Sequence, residues 1–177
     1  AVSTTEGAFA GNFDWGPIDQ VVTIANEVEL VRWFGKPSDN TAVSFFTAAN
    51  FLAYGDNLRV VRSANTAGAK NATSGNTAAI IKNRDDWDLN WDVFATNNPQ
   101  YGMFAGRYAG TLGNGIRVCM FANAGVGTAD AAWTSWEQAA QFDGPPGTSK
   151  YVQDRAGAND EMHIVVLDTL GYFLSLI

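Results

Sequence analysis

"FFTAANFLAYGDNLRVVR", residues 45–62, decides how the chain begins to fold. The spacing predicts a helix that starts near Asn40 or Thr41. Ala42, Phe45, Phe46, Ala49, Leu52 and Ala53 recur at intervals of three and four, so they share one face. Gly55 is expected to end this helix in the left-handed conformation. "LRVVR", Leu58 to Arg62, has the β-branched content of a strand.

Working backwards, Asn26 is placed to cap a shorter helix, with Glu29 three residues on as its reciprocal partner. Val28, Val31 and Trp33 are expected on its apolar side, and Gly35 and Pro37 end it. "VVTIA", Val21 to Ala25, reads as a strand. "EGAFAGNFDWGP" reads as a strand that stops at the Gly16-Pro17 turn. The order is strand, strand, helix, helix, strand within residues 1–62.

"SANTAGAKNATSGNTA", residues 63–78, is small, polar and without periodicity, and reads as a linker. Residues 79–177 read as strand-rich. Strands are expected at "AAIIKN", "GMFAGRYAG", "GIRVCMF" and, as a buried strand, "MHIVVLD". One helix is expected along Ala129, Ala132, Trp133, Trp136 and Ala140, capped by Thr128. "DGPPGTSK" is loop and Gly171 marks a tight turn. The fold class is therefore α+β: a small strand–strand–helix–helix–strand unit plus a strand-rich domain with one helix.

Composition narrows the function. The 177 residues are 46% hydrophobic and 16% charged with six Trp, which describes a folded chain with much covered surface. The net charge of −7 and eleven scattered basic residues argue against nucleic acid and against an anionic membrane as partners. No apolar stretch approaches the roughly 18 residues of a membrane span. The chain starts with Ala and has no signal-peptide pattern, so a processed chain or a piece of a longer one is expected.

"RDDWDLNWDVF", residues 84–94, offers Asp86, Asp88 and Asn90 at EF-hand positions, but Trp91 stands where Gly is needed and Asn97 where a bidentate Glu is needed. Asp86, Asp88, Asn90 and Asp92 alternate with Trp87, Leu89, Trp91 and Val93, which predicts an amphipathic strand. A sugar-binding aromatic surface using Trp87, Trp91 or Trp133 is the alternative from another class. His163 and Cys119 are each alone of their type, too few for a zinc site, and no G-x-S-x-G elbow accompanies the histidine. Cys119 reads as a buried thiol and His163 as a strand residue. "GTLGNG" leads into a strand instead of a helix, so it reads as a turn and not as a dinucleotide loop. Asp143, Asp154, Asp160, Glu161 and Asp168 could serve a glycosidase only if two faced each other across a cleft. Asn71-Ala72-Thr73 matches a glycosylation sequon. No cofactor or metal is expected.

Most of the chain, and residues 1–62 above all, resembles the tail sheath proteins of contractile bacteriophages. The matching elements are "WGP" (Trp15, Gly16, Pro17), "FGKP" (Phe34, Gly35, Pro37), "FFTAANFLAYG" (Phe45, Phe51, Tyr54, Gly55) and "LRVVR" (Arg59, Arg62). "AGRYAGTLGNGIRV" is similar to the family's R-Y-P-G-x-x-G-N segment through Tyr108, Gly110, Gly113 and Asn114, with Ala109 where Pro is usual. "NDEMHIVVLDTLGYF" is similar to its late strand and turn.

The resemblance implies a structural, non-enzymatic subunit that forms stacked hexameric rings around a tail tube and contracts to drive the tube through the host envelope. It implies neighbouring subunits, the tube protein, baseplate and tail terminator as partners. It implies assembly in the host cytoplasm and residence in the virion. A sheath from another contractile injection machine fits the same pattern. On this reading residues 1–62 are the N-terminal part of a core domain completed by a C-terminal half, and 79–177 are an inserted, protruding domain. Residues 1–62 alone then bury too little to be stable. The isolated segment is expected to show no cooperative thermal unfolding by circular dichroism, and a sharp transition would contradict this.

Overall fold

The computed structural model describes residues 5–74, 77–96 and 103–173. The chain divides into two compact units, Ala1–Ile116 with Leu170–Ile177, and Arg117–Thr169.

The first unit is built on a three-stranded mixed sheet. Strands β1 (Gly7–Asn12), β2 (Val21–Ile24) and β3 (Leu58–Ser63) lie in the order β1-β3-β2. β1 runs parallel to β3, with Gly7 opposite Leu58 and Asn12 opposite Ser63. β2 runs antiparallel to β3, with Val22 opposite Val60. A parallel pair needs a long crossover. Here β2 and the helices α1 (Glu27–Phe34) and α2 (Ala42–Leu52) make up the chain between β1 and β3. Phe13, Ile24, Leu30, Phe34, Phe45 and Val60 form the centre of the core, with Phe13 stacked on Phe34 at 4.6 Å.

Local rules place these elements. The Asn26 side chain accepts the Glu29 amide proton at 2.9 Å, and Glu29 accepts from the Ala25 amide at 2.9 Å, which is the expected reciprocal cap. The expected faces are largely the inner ones, since Val31 and Trp33 of α1 and Phe45, Ala49 and Leu52 of α2 lie in the core or against it, with Val28 and Phe46 as the exceptions. α1 buries Leu30 and Phe34 while Val28 is exposed. α2 buries Phe45 and Ala48, and Phe46 is 54% exposed. In α2, which is apolar over most of its surface, no single stripe is preferred, so packing against the sheet chooses between Phe45 and Phe46. Gly55 is not left-handed. Its constraint is the Phe51 ring, 3.2 Å from where a Cβ would stand.

Residues 84–94 correct the strand reading. They form two short helices, α3 (Arg84–Leu89) and α4 (Trp91–Thr96). The Asn83 side chain caps α3 by accepting the Asp86 amide proton at 2.9 Å. Asp86 reaches back to accept the Lys82 amide at 2.8 Å, and Arg84 pairs with Asp88 one turn on at 2.8 Å. This local capping, with Asp85 and Asp86 in the first turn, outweighs the period-two pattern. The Trp91 side chain and Asn97 lie outside the described residues.

The polar stretch from Ser63 ends in a hairpin, β4 (Ala72–Ser74) paired antiparallel with β5 (Thr77–Ala79). "AAIIKN" is strand only at its start. The described part of "GMFAGRYAG", residues 103–110, is not a strand. Asn71 holds it instead: its main-chain oxygen accepts from the Gly106 amide at 2.8 Å and its side chain donates to the Gly106 carbonyl at 2.9 Å. The Asn71 side chain also accepts from the Ile81 amide at 2.6 Å, so the sequon asparagine is a structural clamp. A 3-10 helix, Thr111–Gly115, follows.

In the second unit, β6 (Ile116–Phe121) pairs with β7 (His163–Asp168). β7 is only half-buried, since Ile164 and Val166 are exposed. The single helix expected across 129–140 is broken into α5 (Ala131–Thr134) and a 3-10 turn, Ala139–Gln141; α6 (Lys150–Gln153) follows. Asp130, not Thr128, caps α5 by accepting the Ala132 amide at 2.8 Å. Bonds of i→i+3 type, Trp136 to Trp133 and Ala139 to Trp136, tighten the turn and bring both tryptophan rings against Phe121.

Candidate functional site

The main polar feature of the first unit is Arg62. Along β3, Leu58, Val60 and Arg62 alternate toward the core, so a guanidinium occupies a core position at 2% exposure. Nε donates to the Phe13 carbonyl at 2.8 Å. Nη1 donates to the Gly16 carbonyl at 2.7 Å and the Ala109 carbonyl at 2.6 Å. One side chain thus ties β3 to the turn after β1 and to a segment 47 residues further on. Burial pushes the Arg62 pKa down to about 10, partly offset by the charge of Asp14, so the group stays cationic at neutral pH.

The surrounding residues make room for this clamp. Gly16 has φ 99°, and a Cβ there would sit 2.7 Å from both the Phe34 ring and the Trp33 carbonyl oxygen. Pro17 is fully buried behind it. A Cβ on Gly110 would run into the Asp14 carbonyl oxygen, so only glycine permits this approach. Trp15 is buried against the edge of Tyr108 at 5.5 Å and of Phe173 at 5.4 Å, and lies 3.5 Å from the Cβ position of Gly113.

The residues singled out from sequence therefore fall into two groups. Trp15, Gly16, Pro17, Arg62, Tyr108, Gly110 and Gly113 converge on the clamp, and Asn114 lines a cavity beside it. Phe34, Phe45 and Phe51 belong to the core or pack on it, and the Gly35 amide donates to the Val31 carbonyl to end α1. Pro37 is half-buried in the loop that follows. Arg59, on the opposite face of β3, pairs with Glu6, and Tyr54 is 94% exposed. Phe13 and Asp14 are site residues that the sequence motifs do not mark. The signal that a buried polar site exists is the alternation of β3, which puts Arg62 where a third aliphatic residue would be expected.

The alternative sites fare differently. Trp133 is 5% exposed, packed on Phe121 and Trp136, and presents no open face for a sugar. Trp87 lines a cleft of about 540 Å³ with Trp33 and Tyr108. His163 lies flat on Phe142 at 4.0 Å, with Nε2 2.9 Å from the Gly144 carbonyl oxygen. Cys119 is a half-buried free thiol. Three of the acidic residues have local structural partners: Asp154 pairs with Lys150, Glu161 accepts from the Gly147 amide, and Asp160 accepts from both the hydroxyl and the amide of Ser149. These bonds, the hydroxyl's first, lower the Asp160 pKa. Among the described residues no group of three or more His, Cys, Asp or Glu could hold a metal, and no helix is long and apolar enough to cross a membrane.

The clamp and the strand order around it lie in a segment with known relatives. Residues 8–62 match the family described as tail sheath protein Gp18 domain III, N-terminal region. The tail sheath protein of Salmonella phage ViI is 33% identical over 168 residues, 94% of this chain and 23% of that protein. This chain is a homologue of the phage tail sheath proteins. The tail sheath protein of Enterobacteria phage T4 is 49% identical over 71 residues, and that of Vibrio phage KVP40 is 46% identical over 71, each alignment spanning 40% of this chain and 11% of the relative. The chain thus spans a quarter or less of the length of the curated relatives it matches.

Replacement of Arg62 tests the clamp in this sheath homologue. Lysine cannot present a planar fork to three carbonyls and would leave buried acceptors unpaired. Arg62→Lys is expected to cost about 3 kcal/mol in urea unfolding, since each orphaned buried group costs roughly 1–3 kcal/mol. A loss within about 0.5 kcal/mol, the range of an ordinary surface change, would contradict it.

Proposed function

We propose that this chain is part of a structural subunit of a contractile phage tail sheath, which assembles as stacked hexameric rings around the tail tube. On a signal from the baseplate the sheath shortens and drives the tube through the host envelope. The observation that carries the proposal is the 33% identity to a tail sheath protein over 94% of the chain. The role is mechanical and involves no catalysis. Neighbouring subunits, the tube protein, the baseplate and the tail terminator are the partners, and the virion tail, assembled in the host cytoplasm, is the location. A sheath of another contractile machine would use the same mechanics.

In this proposal residues 1–62 are the N-terminal part of the sheath core, 63–78 a linker and 79–177 an inserted, protruding domain. The Arg62 bond to Ala109 suits such a role, because it anchors the later segment to the central strand of the core sheet. Contraction would be a switch between two sets of interfaces, with each subunit moving as a nearly rigid body. Electron microscopy of the full-length gene product, mixed with tube and baseplate, tests the proposal. Hollow striated tubes are the expected result. Particles that stay dispersed with tube and baseplate present would contradict it.

A further inference from the structure

Arg62 has more hydrogen-bonding capacity than the clamp uses. A guanidinium carries five N–H donors. Nε and Nη1 spend theirs on three carbonyls, and no described acceptor is bonded to Nη2. No fully enclosed side-chain nitrogen or oxygen among the described residues lacks a partner, so Nη2 is not sealed off. Arg62 and Gly110 both line a cavity of about 320 Å³. The missing Cβ of Gly110 leaves room beside Nη2, since a Cβ there would lie 3.0 Å from it.

The rest of the wall has matching chemistry. Asn12, Asn65, Asn114 and Thr111 supply neutral polar groups. The charged lining residues are Arg62, Lys70 and Asp14, which leaves the cavity one unit positive in a chain of net charge −7. Lys70 is half-buried, and its Nζ donates to the Thr66 carbonyl at 2.9 Å with two further protons to give. Asp14 forms no ion pair with Arg62 within 4 Å.

We propose that this cavity is an oxyanion site, in which Arg62 Nη2 and Lys70 Nζ hold a phosphate or carboxylate group. Guanidinium and ammonium donors are the groups that bind such oxygens most strongly. An anion would satisfy the two idle N–H groups and offset the cost of burying the cation. The source is either free phosphate or a carboxylate presented by another polypeptide. Filling the site would tighten the hold of β3 on the two segments that Arg62 clamps.

Amide NMR of the whole chain tests this, with inorganic phosphate and sodium acetate titrated separately against sodium chloride at equal ionic strength. Saturable shifts are expected at Gly110, Thr111 and Lys70. Saturation by phosphate alone marks a phosphate site, and saturation by acetate marks a carboxylate site. Lys70→Ala, at the rim and outside the core, is expected to weaken binding about twofold to fivefold, the effect of one partly exposed charge. Asp14→Asn is expected to tighten it. The absence of a saturable shift with either anion would overturn the proposal. So would binding that both variants leave unchanged, which would mean an adventitious ion only.

Discussion

The first unit depends on one buried cation. Taking a guanidinium out of water is costly unless its donors are met. Arg62 meets three of them with main-chain carbonyls instead of a carboxylate. Carbonyls belong to the chain path, so satisfying the charge fixes where the chain runs. The turn at Phe13–Gly16 and the turn at Ala109–Gly110 must both come to the end of β3. Gly16 and Gly110 are the residues that let the backbone come that close. Trp15 then closes the assembly from outside, under Tyr108 and Phe173.

Much of this was legible in the sequence where local rules and burial agree. The order strand, strand, helix, helix, strand is written in turn residues and in the Asn26–Glu29 cap, and the structure has it. The resemblance to tail sheath proteins rested on "WGP", "FGKP" and "LRVVR", and the family match covers that same stretch. Residues 84–94 were misread because alternation of polar and apolar residues over a short span fits both a strand and two single-turn helices. The deciding signal was Asn83 with Asp86, a capping pair just before the stretch. Phe46 is exposed although it neighbours the buried Phe45, because α2 is apolar almost all round and a pattern without contrast does not mark the edge of the buried face. The cavity beside Arg62 was not legible, because it joins residues near positions 12, 65 and 112 that only the folded chain brings together.

For the proposed sheath role, the clamp joins local chemistry to mechanics. A subunit that moves as a body must transmit force between segments distant in sequence without unfolding. Hydrogen bonds from a single planar group to three carbonyls resist shear in several directions at once, unlike surface ion pairs such as Arg84–Asp88. In the second unit, by contrast, stacked rings around Trp136 and His163 provide the cohesion, and its polar contacts are mostly exposed. The two units are thus held by different physics.

Native-state amide hydrogen exchange of the whole chain, with and without Arg62→Lys, tests the clamp most directly. The Ile18 amide bonds to the Lys82 carbonyl at 2.8 Å beside the first clamped turn, and the Gly113 amide bonds to the Gly110 carbonyl at 3.2 Å beside the second. If Arg62 holds both turns, these two amides lose protection together in the variant, by the same factor, while the β3 ladder amides around Val60 lose less. If Ile18 and Gly113 respond independently, or neither responds, the two turns are held by something other than Arg62.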